Sequence, residues 1–313
     1  MRFPSAEVEF IIGPQLKSGS ALNPVPWYDQ NALSRGLELG EAFPANPPGS
    51  VLLPGTISVT QNSNQITGAG THFVQDFATG PNAYFVIHDA GGAHPFIRGS
   101  VTDDTHMAVT APWPGRSSAG LKYGGMSADE LDSFTNLNYY DQGLVQYTNY
   151  YRTGDARFLS YARKINDSWW KSTYVSEGRT PIDNSFSPRT SSLAGLMLRA
   201  LDGRPEMWPW ITDYVRQQLH LWVSLRADYA GFYYGIRDGG YMLLHAANLA
   251  RVHPDPAVRA EFRAKALDGA VRYYARLQGP DGGFYFDLDD IKGTTQPFQE
   301  GILAEGLIAV HRL

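Results

Sequence analysis

Apolar residues recur at helical spacing through the second half of the chain. Seven such patterns predict helices, at about residues 137–152, 155–173, 190–201, 207–226, 239–252, 257–277 and 299–313. They form pairs, because short stop signals containing Gly, Asp or Pro separate the helices of a pair and longer connections separate the pairs. Each pair begins roughly fifty residues after the previous one, a period that is typical of an array of helical hairpins.

The two helices of a pair differ in polarity. The first is rich in small and apolar residues, as in the stretch GYMLLHAA at 240–247, whereas the second carries its charges on one face, as in residues 157–167. A helix that is apolar all round is buried, and a one-sided helix lies at the periphery. We therefore expect an inner row of first helices and an outer row of second helices, the layout of an α/α toroid.

Residues 55–123 follow a different pattern. Short runs rich in Val, Ile, Thr and Phe are separated by Asn, Gly and Asp turns about every eight to twelve residues, which is typical of a small β-sandwich or barrel. Residues 1–54 contain many prolines, with a short alternation at 7–11 and a short helical pattern at 31–39. They predict an extended attachment arm.

The predicted fold class is therefore a multidomain chain in which a small all-β module precedes an all-α array of helical hairpins, a partial α/α toroid. The predicted domains are the arm at 1–54, the β-module at 55–123 and the helical domain at 124–313. The last pattern ends still apolar at 309–313, so an exposed apolar edge is expected. Either another subunit or further chain covers that edge, and we favour the second.

Composition narrows the classes of function. The net charge of −5 and the lack of a Lys/Arg cluster argue against a nucleic-acid partner. No uninterrupted apolar window predicts a membrane span, and the N-terminus lacks the apolar segment of a secretory signal. The chain has no cysteine, which excludes disulfides, Cys-zinc sites and thiol nucleophiles.

An aromatic loop rich in Gly and Asp recurs between helix pairs. It reads LQGPDGGFYFDLDDIKGTTQPF at 277–298, and a weaker copy reads GFYYGIRDGG at 231–240. Aromatic rings stack well on sugar rings, and tyrosine adds a polar group. The candidate sugar-binding residues are Tyr139, Tyr140, Tyr233, Tyr234, Phe284 and Tyr285.

Carboxylates near these loops are the candidate catalytic residues, because glycoside cleavage commonly uses two carboxylates that flank the bond. The candidates are Asp238, Asp281, Glu300 and Glu305. Asp238 and Asp281 also suit a turn or a helix cap, since each precedes Gly-Gly. Glu300 suits the first turn of a helix, whereas Glu305 lies on an otherwise apolar helix, where burial of a carboxylate costs free energy.

No cofactor and no metal site are predicted. The sequence has no P-loop, dinucleotide fingerprint, nucleophile elbow or zinc-protease motif. The acidic run at 287–290 lacks the spacing of an EF-hand loop and is interpreted as a solvated loop.

The β-module resembles one that is frequent in bacteriophage tail-fibre and other virion proteins. The resemblance rests on GTISVT at 55–60, ITGAGTHF at 66–73 and VTDDTHMAVT at 101–110, followed by Pro114-Gly115. It implies placement and spacing within an assembly rather than catalysis.

The helical part resembles the α/α-toroid glycosidases and polysaccharide lyases. The resemblance rests on PDGGFYFD at 280–287 and PFQEGILAEGL at 297–307, and it is one of architecture and loop style. It implies a carbohydrate-facing platform, which in this class is catalytic in some proteins and not in others.

Together these features predict a structural subunit of a virion tail, fibre or other extracellular assembly that presents a carbohydrate-facing platform. The first alternative is an active polysaccharide depolymerase, either a glycoside hydrolase or a lyase. The second is a filament subunit without glycan contact. The expected partners are a glycan or polysaccharide and copies of the chain or other virion subunits, with neither nucleic acid nor membrane. The expected location is a virion or the extracellular space.

Overall fold

The computed structural model describes residues 5–12, 26–45, 51–80, 82–90, 92–127, 138, 141–176, 193–219, 236–280, 282–284 and 297–313. Its strands are β1 (Val51–Leu52), β2 (Thr56–Val59), β3 (Gln65–Ala69), β4 (Tyr84–Asp89), β5 (Gly92–Val101), β6 (His106–Val109) and β7 (Ser118–Met126). Its α-helices are α1 (Ser5–Ile12), α2 (Pro26–Ala42), α3 (Gln142–Thr153), α4 (Ala156–Ser176), α5 (Leu193–Leu201), α6 (Trp208–Leu219), α7 (Ile236–Val252), α8 (Pro256–Leu277) and α9 (Pro297–His311).

Six of the strands close into an antiparallel barrel. The order β7-β2-β3-β6-β5-β4 is closed by the pairing of β4 with β7, and β1 pairs with the end of β7. Alternate residues of β2, Ile57 and Val59, point into the barrel and are buried. The interior is aromatic, because the ring centre of Phe73 lies 5.8 Å from that of Phe85 and 5.5 Å from that of Tyr123.

The later helices form two rows. Helices α3, α5, α7 and α9 contact one another in succession as the inner row, and α4, α6 and α8 pack against them from outside. All residues of α5 except Arg199 and Leu201 are buried, as expected for a helix that is apolar all round. The outer helix α8 buries Phe262 and Ala266 and exposes Arg263 between them.

Two N-terminal helices belong to the same helical unit. Helix α1 packs against α5 and α7. The ring of its Phe10 lies 6.0 Å from the guanidinium of Arg251 on α7 and 4.9 Å from that of Arg312, beyond α9. Its buried side chains are Val8, Phe10, Ile11 and Ile12.

Helix α2 packs on α3 and α4 through two glycines. A Cβ on Gly36 would lie 2.6 Å from Nδ2 of Asn149, and a Cβ on Gly40 would overlap the ring of Tyr161. The side chain of Gln146 also donates a hydrogen bond to the carbonyl oxygen of Gly36 at 2.8 Å. The missing Cβ atoms are therefore what lets the helices approach.

The predicted fold class is wrong. The structure is a mixed α/β fold in which a closed six-stranded barrel lies in the chain between helices of one helical unit, and it is not a small all-β module followed by an all-α partial toroid. The prolines of residues 1–54 predict an extended arm, but Pro26 opens α2 and Pro44 follows it. Proline is tolerated at the first helical position, where its missing N–H has no intrahelical partner to lose. The predicted domain boundaries stay a prediction.

Candidate functional site

The inner helices begin at one end of the array. The start of α3 touches the start of α5, because the Asp141 carboxylate accepts hydrogen bonds from the N–H groups of Leu144 (2.8 Å) and Gly195 (2.9 Å). The start of α7 touches α9, since a Cβ on Gly240 would lie 2.7 Å from Cα of Leu303. We call this end the loop end, and it comprises residues 141–144, 193–196, 236–241 and 297–300, together with residues 282–284, of which Phe284 binds Glu300.

Asp141 is a strongly perturbed acid at the junction of α3 and α5. Its backbone is left-handed, with a φ of 57°, a conformation that Asp and Asn adopt more readily than most residues. Burial of the carboxyl raises its pKa to about 6, while hydrogen bonds from the backbone N–H groups of Gly195, Leu144 and Ala194 act in the opposite direction. The positive ends of two helix dipoles also favour the carboxylate. Burial therefore outweighs these hydrogen bonds in setting the pKa of Asp141.

Asn166 of α4 completes this junction. It is fully buried, and its Nδ2 donates to the carbonyl oxygen of Ala162 at 2.8 Å. Within the described ranges its Oδ1 has no hydrogen-bond partner. A Cβ on Gly195 would meet both Asn166 Oδ1 (2.7 Å) and Asp141 Oδ1 (2.5 Å), so the two oxygens face the same point. A protonated Asp141 carries the donor that Asn166 Oδ1 lacks.

Glu300 and Phe284, two of the predicted site residues, lie together at the start of α9. Glu300 Oε1 accepts a hydrogen bond from the N–H of Phe284 at 3.3 Å. A tight turn presents Phe284, because Gln278 forms an antiparallel bridge with it and the N–H of Gly279 donates to the carbonyl oxygen of Gly283 at 2.7 Å. Glu300 thus holds this turn against α9. That is a structural use of a carboxylate in a first helical turn.

Glu305 lies further along α9 and is exposed rather than buried. Neighbouring atoms desolvate its carboxyl enough to raise its pKa, although the residue as a whole stays open to solvent. No hydrogen bond or ion pair joins it to another residue in the described part of the chain. The structure therefore does not bring Glu305 into contact with Glu300.

The remaining predicted site residues lie outside what the structure describes. The residues concerned are Tyr139, Tyr140, Tyr233, Tyr234, Asp281 and Tyr285. Asp238 lies in α7, near its start, and its side chain is also outside the description. Their participation in a site stays a prediction.

Sequence reasoning missed Asp141 and Tyr241. Asp141 directly precedes a helical pattern, which is the position of an N-cap, so a local signal was present. Its second partner, Gly195, is 54 residues away and has no local signal. Tyr241 is half-buried on α7 and stacks on His245 one turn later, with ring centres 6.3 Å apart and planes 18° apart. The spacing of four residues is the signal for such a pair on a helix.

Comparison with models of protein families, with curated proteins and with solved structures finds no match to the chain. Among the residues that the structure describes, no group of three metal-binding side chains is placed to hold an ion. None of the described helices combines the length and the apolar character needed to cross a membrane. At the loop end, Asp141 and Glu300 bind backbone N–H groups, and the rings of Tyr241 and Phe284 are half-buried.

Proposed function

We propose that this protein is a structural subunit of a virion tail, tail fibre or other extracellular assembly, and that its loop end faces a carbohydrate. One observation carries the proposal. The two acids of the loop end, Asp141 and Glu300, both accept hydrogen bonds from backbone N–H groups. The rings of Tyr241 and Phe284 are half-buried at the same end. Such rings combine a large apolar face with partial access from solvent, which suits stacking on a sugar.

Carboxylates that accept hydrogen bonds from backbone N–H groups are poorly suited to glycoside cleavage. A general acid needs an oxygen within hydrogen-bond reach of the leaving group. Asp141 commits one oxygen to Leu144 and the other to Gly195, at 2.8 and 2.9 Å. Glu300 commits one oxygen to the N–H of Phe284. Binding without cleavage is therefore the activity that the loop end supports best.

The barrel supports the assembly role. Its short strand β1 carries Val51 and Leu52, which are 70% and 58% exposed. Exposed apolar side chains of this kind mark interaction sites. Strand β5 packs on helix α4, so a partner bound at β1 would be held by a barrel that is docked on the helical unit.

The carbohydrate half of the proposal is tested with Phe284→Ala and Tyr241→Ala, using Val74→Ala on the exposed surface of the barrel as the control. Binding to a panel of immobilised polysaccharides is measured by biolayer interferometry. New reducing ends and unsaturated uronic acids are followed in the same mixtures. We expect binding without cleavage, a loss of affinity of roughly threefold to tenfold in each aromatic variant, and no loss in the control.

Two other results would replace this proposal. Release of new chain ends with a bell-shaped pH dependence would identify a depolymerase. A complete lack of sugar binding would leave a filament subunit without glycan contact.

One observation favours the depolymerase as the second candidate. Burial brings the pKa of Asp141 to about 6, which is the range of general acids in glycosidases. If Asp141 is such an acid, Asp141→Asn abolishes cleavage and leaves sugar binding intact. If its role is structural, the same variant changes folding stability and no cleavage is lost.

A further inference from the structure

Helix α7 carries a stripe of polar side chains that starts at the loop end. Tyr241, His245 and Asn248 follow one another at intervals of four and three residues, so they lie on one side of the helix. The ring of Tyr241 stacks on that of His245, with ring centres 6.3 Å apart. We call these three residues the polar stripe. It runs about 10 Å along α7, from the loop end inward.

The polar stripe occupies a side of α7 that faces neither α9 nor α6. Gly240 and Leu243 mark the side that faces α9, because their Cβ positions meet Leu303 and Gly306. His253, just beyond the end of α7, marks the side that faces α6, since its Nε2 lies 3.2 Å from the hydroxyl oxygen of Thr212. At 3.6 residues per turn, the middle of the polar stripe lies about a third of a turn from each of these sides.

Asn248 is the unusual member of the polar stripe. It is fully buried, yet within the part of the chain that the structure describes neither its Oδ1 nor its Nδ2 has a hydrogen-bond partner. Apart from His245, the other buried residues of α7 are apolar or glycine. Buried polar side chains are nearly always satisfied by protein groups or by ordered water. An amide presents donors and an acceptor together, which suits two adjacent hydroxyl groups.

Helix α1 lies over the inner end of the polar stripe. The ring of Phe10 on α1 lies 6.0 Å from the guanidinium of Arg251, and Asn248 precedes Arg251 by three residues, so the two are neighbours on α7. At the other side of α1, Glu9 accepts a hydrogen bond from the hydroxyl of Tyr151 on α3 at 2.7 Å. The buried side chains of α1 are all apolar. Helix α1 therefore closes the stripe without satisfying the amide of Asn248.

We propose that the polar stripe is a sugar-binding subsite and that α1 is its displaceable cover. Tyr241, half-buried at the loop end, stacks on one sugar ring. Asn248 binds two adjacent hydroxyl groups of a sugar residue further in, once α1 has moved aside. The length of the stripe makes the ligand a short run of sugar residues rather than a single ring. This inference rests on the proposed carbohydrate binding and names the residues that carry it out.

Asn248→Leu separates this role from a structural one. Leucine resembles asparagine in shape and has no polar atom to leave unsatisfied, so the urea midpoint of unfolding should stay equal or rise. Binding to the polysaccharides of the panel described above should weaken about tenfold or more, because hydrogen bonds to two hydroxyl groups are lost. Leu243→Met is the control, since Leu243 faces α9 and the exchange conserves volume. It should leave the affinity unchanged.

Ile11→Ala tests the cover. Ile11 is buried in α1, so its truncation loosens α1 and lowers the urea midpoint. A site that is open in only a fraction of the molecules binds with an affinity reduced by that fraction, so loosening α1 should raise the affinity for the same polysaccharides about threefold or more. Val59→Ala is the matched control, because Val59 is buried in the barrel. It should lower the midpoint and leave the affinity unchanged.

Three results would overturn this inference. A lower urea midpoint for Asn248→Leu would make Asn248 a structural residue, and an unchanged affinity would mean that it binds only an ordered water. An affinity of Ile11→Ala that is unchanged or lower would show that α1 and the sugar do not compete. Loss of binding in Phe284→Ala with full binding in Asn248→Leu would count against the polar stripe alone. A lack of sugar binding in both the wild type and Ile11→Ala would count against the proposed function as well.

Discussion

Replacing Asp141 with asparagine removes a titrating charge and keeps the shape of the junction between α3 and α5. Asparagine also tolerates the left-handed backbone at this position, and its amide nitrogen is a donor for the unpartnered oxygen of Asn166. The replacement loses a hydrogen bond from a backbone N–H group, which costs about 1 kcal/mol at any pH. The rest of the difference in free energy of unfolding between the wild type and Asp141→Asn then depends on the titration of Asp141.

The sign of that difference follows from the direction of the pKa change. The pKa of Asp141 is about 6 in the folded protein, above its ordinary value of 3.8. The folded state therefore binds the proton more tightly, and the stabilisation is complete below about pH 4 and lost as the pH rises through about 6. A pKa change of this size corresponds to roughly 3 kcal/mol. We expect the wild type to be more stable than Asp141→Asn by about 1 kcal/mol near pH 4 and less stable by about 2 kcal/mol above pH 7.

Urea unfolding followed by circular dichroism, at closely spaced values from about pH 4 to about pH 8, measures this crossover. The matched control is Asp155→Asn. Asp155 caps α4 through the N–H of Arg157 at 2.9 Å, but it is solvent-accessible and the Arg157 side chain lowers its pKa. Its contribution to stability is lost as the pH falls, which is the opposite sign. If the free energies of unfolding of the wild type and Asp141→Asn differ by a constant amount across this pH range, burial does not raise the pKa of Asp141 and the reasoning is refuted.

Three further predictions use the same unfolding assay. Asp202→Asn should cost roughly 2 to 3 kcal/mol, because the carboxylate is almost fully buried and accepts two hydrogen bonds from Arg163, which is partly exposed and can rehydrate. Gly306→Ala should lower the free energy of unfolding by about 2 kcal/mol or more, because its Cβ would overlap the backbone of α7. Gly301→Ala has open space around it, so it should be neutral or raise the free energy of unfolding by up to about 1 kcal/mol. Burial lowers the pKa of His253 from 6.5, so its contribution to stability should fall as the pH drops below that value, and the free energy of unfolding of the wild type relative to His253→Asn should decrease over that range. Equal effects of the two alanine variants, or a cost for Asp202→Asn below about 0.5 kcal/mol, would contradict the packing described.

The later helices are accessible to sequence reasoning because their apolar spacing is local. The pattern at 239–252 lies within α7, and the pattern at 257–277 differs from α8 by one residue at its start. The N-terminal helix is different, because Val8 and Phe10 alternate with Glu and mimic a strand. Helix α1 is nonetheless buried on several sides, so it lacks the polar stripe from which a helix is recognised.

Closure of the barrel and construction of the loop end depend on contacts between residues far apart in the chain. The barrel closes when β4 pairs with β7, which joins Tyr84 to Met126, and a turn pattern does not determine which strands meet. At the loop end, the residue type of Asp141 predicts a cap for its own helix. Its bond to Gly195 depends on how α3 and α5 pack, which the local sequence does not contain.

The points where the chain enters and leaves the barrel explain how helices on both sides of it form one unit. Val51 pairs with Gly125 and Leu52 with Gly124, so these ends lie about 5 Å apart. A unit with adjacent ends can stand between α2 and α3 in the chain without keeping them apart, and α2 does pack on α3. Within the described residues, α4 is the helix with extensive barrel contact, through β5. The same helix carries Asn166, which meets Asp141 at Gly195. Helix α4 therefore contacts both the barrel and the loop end.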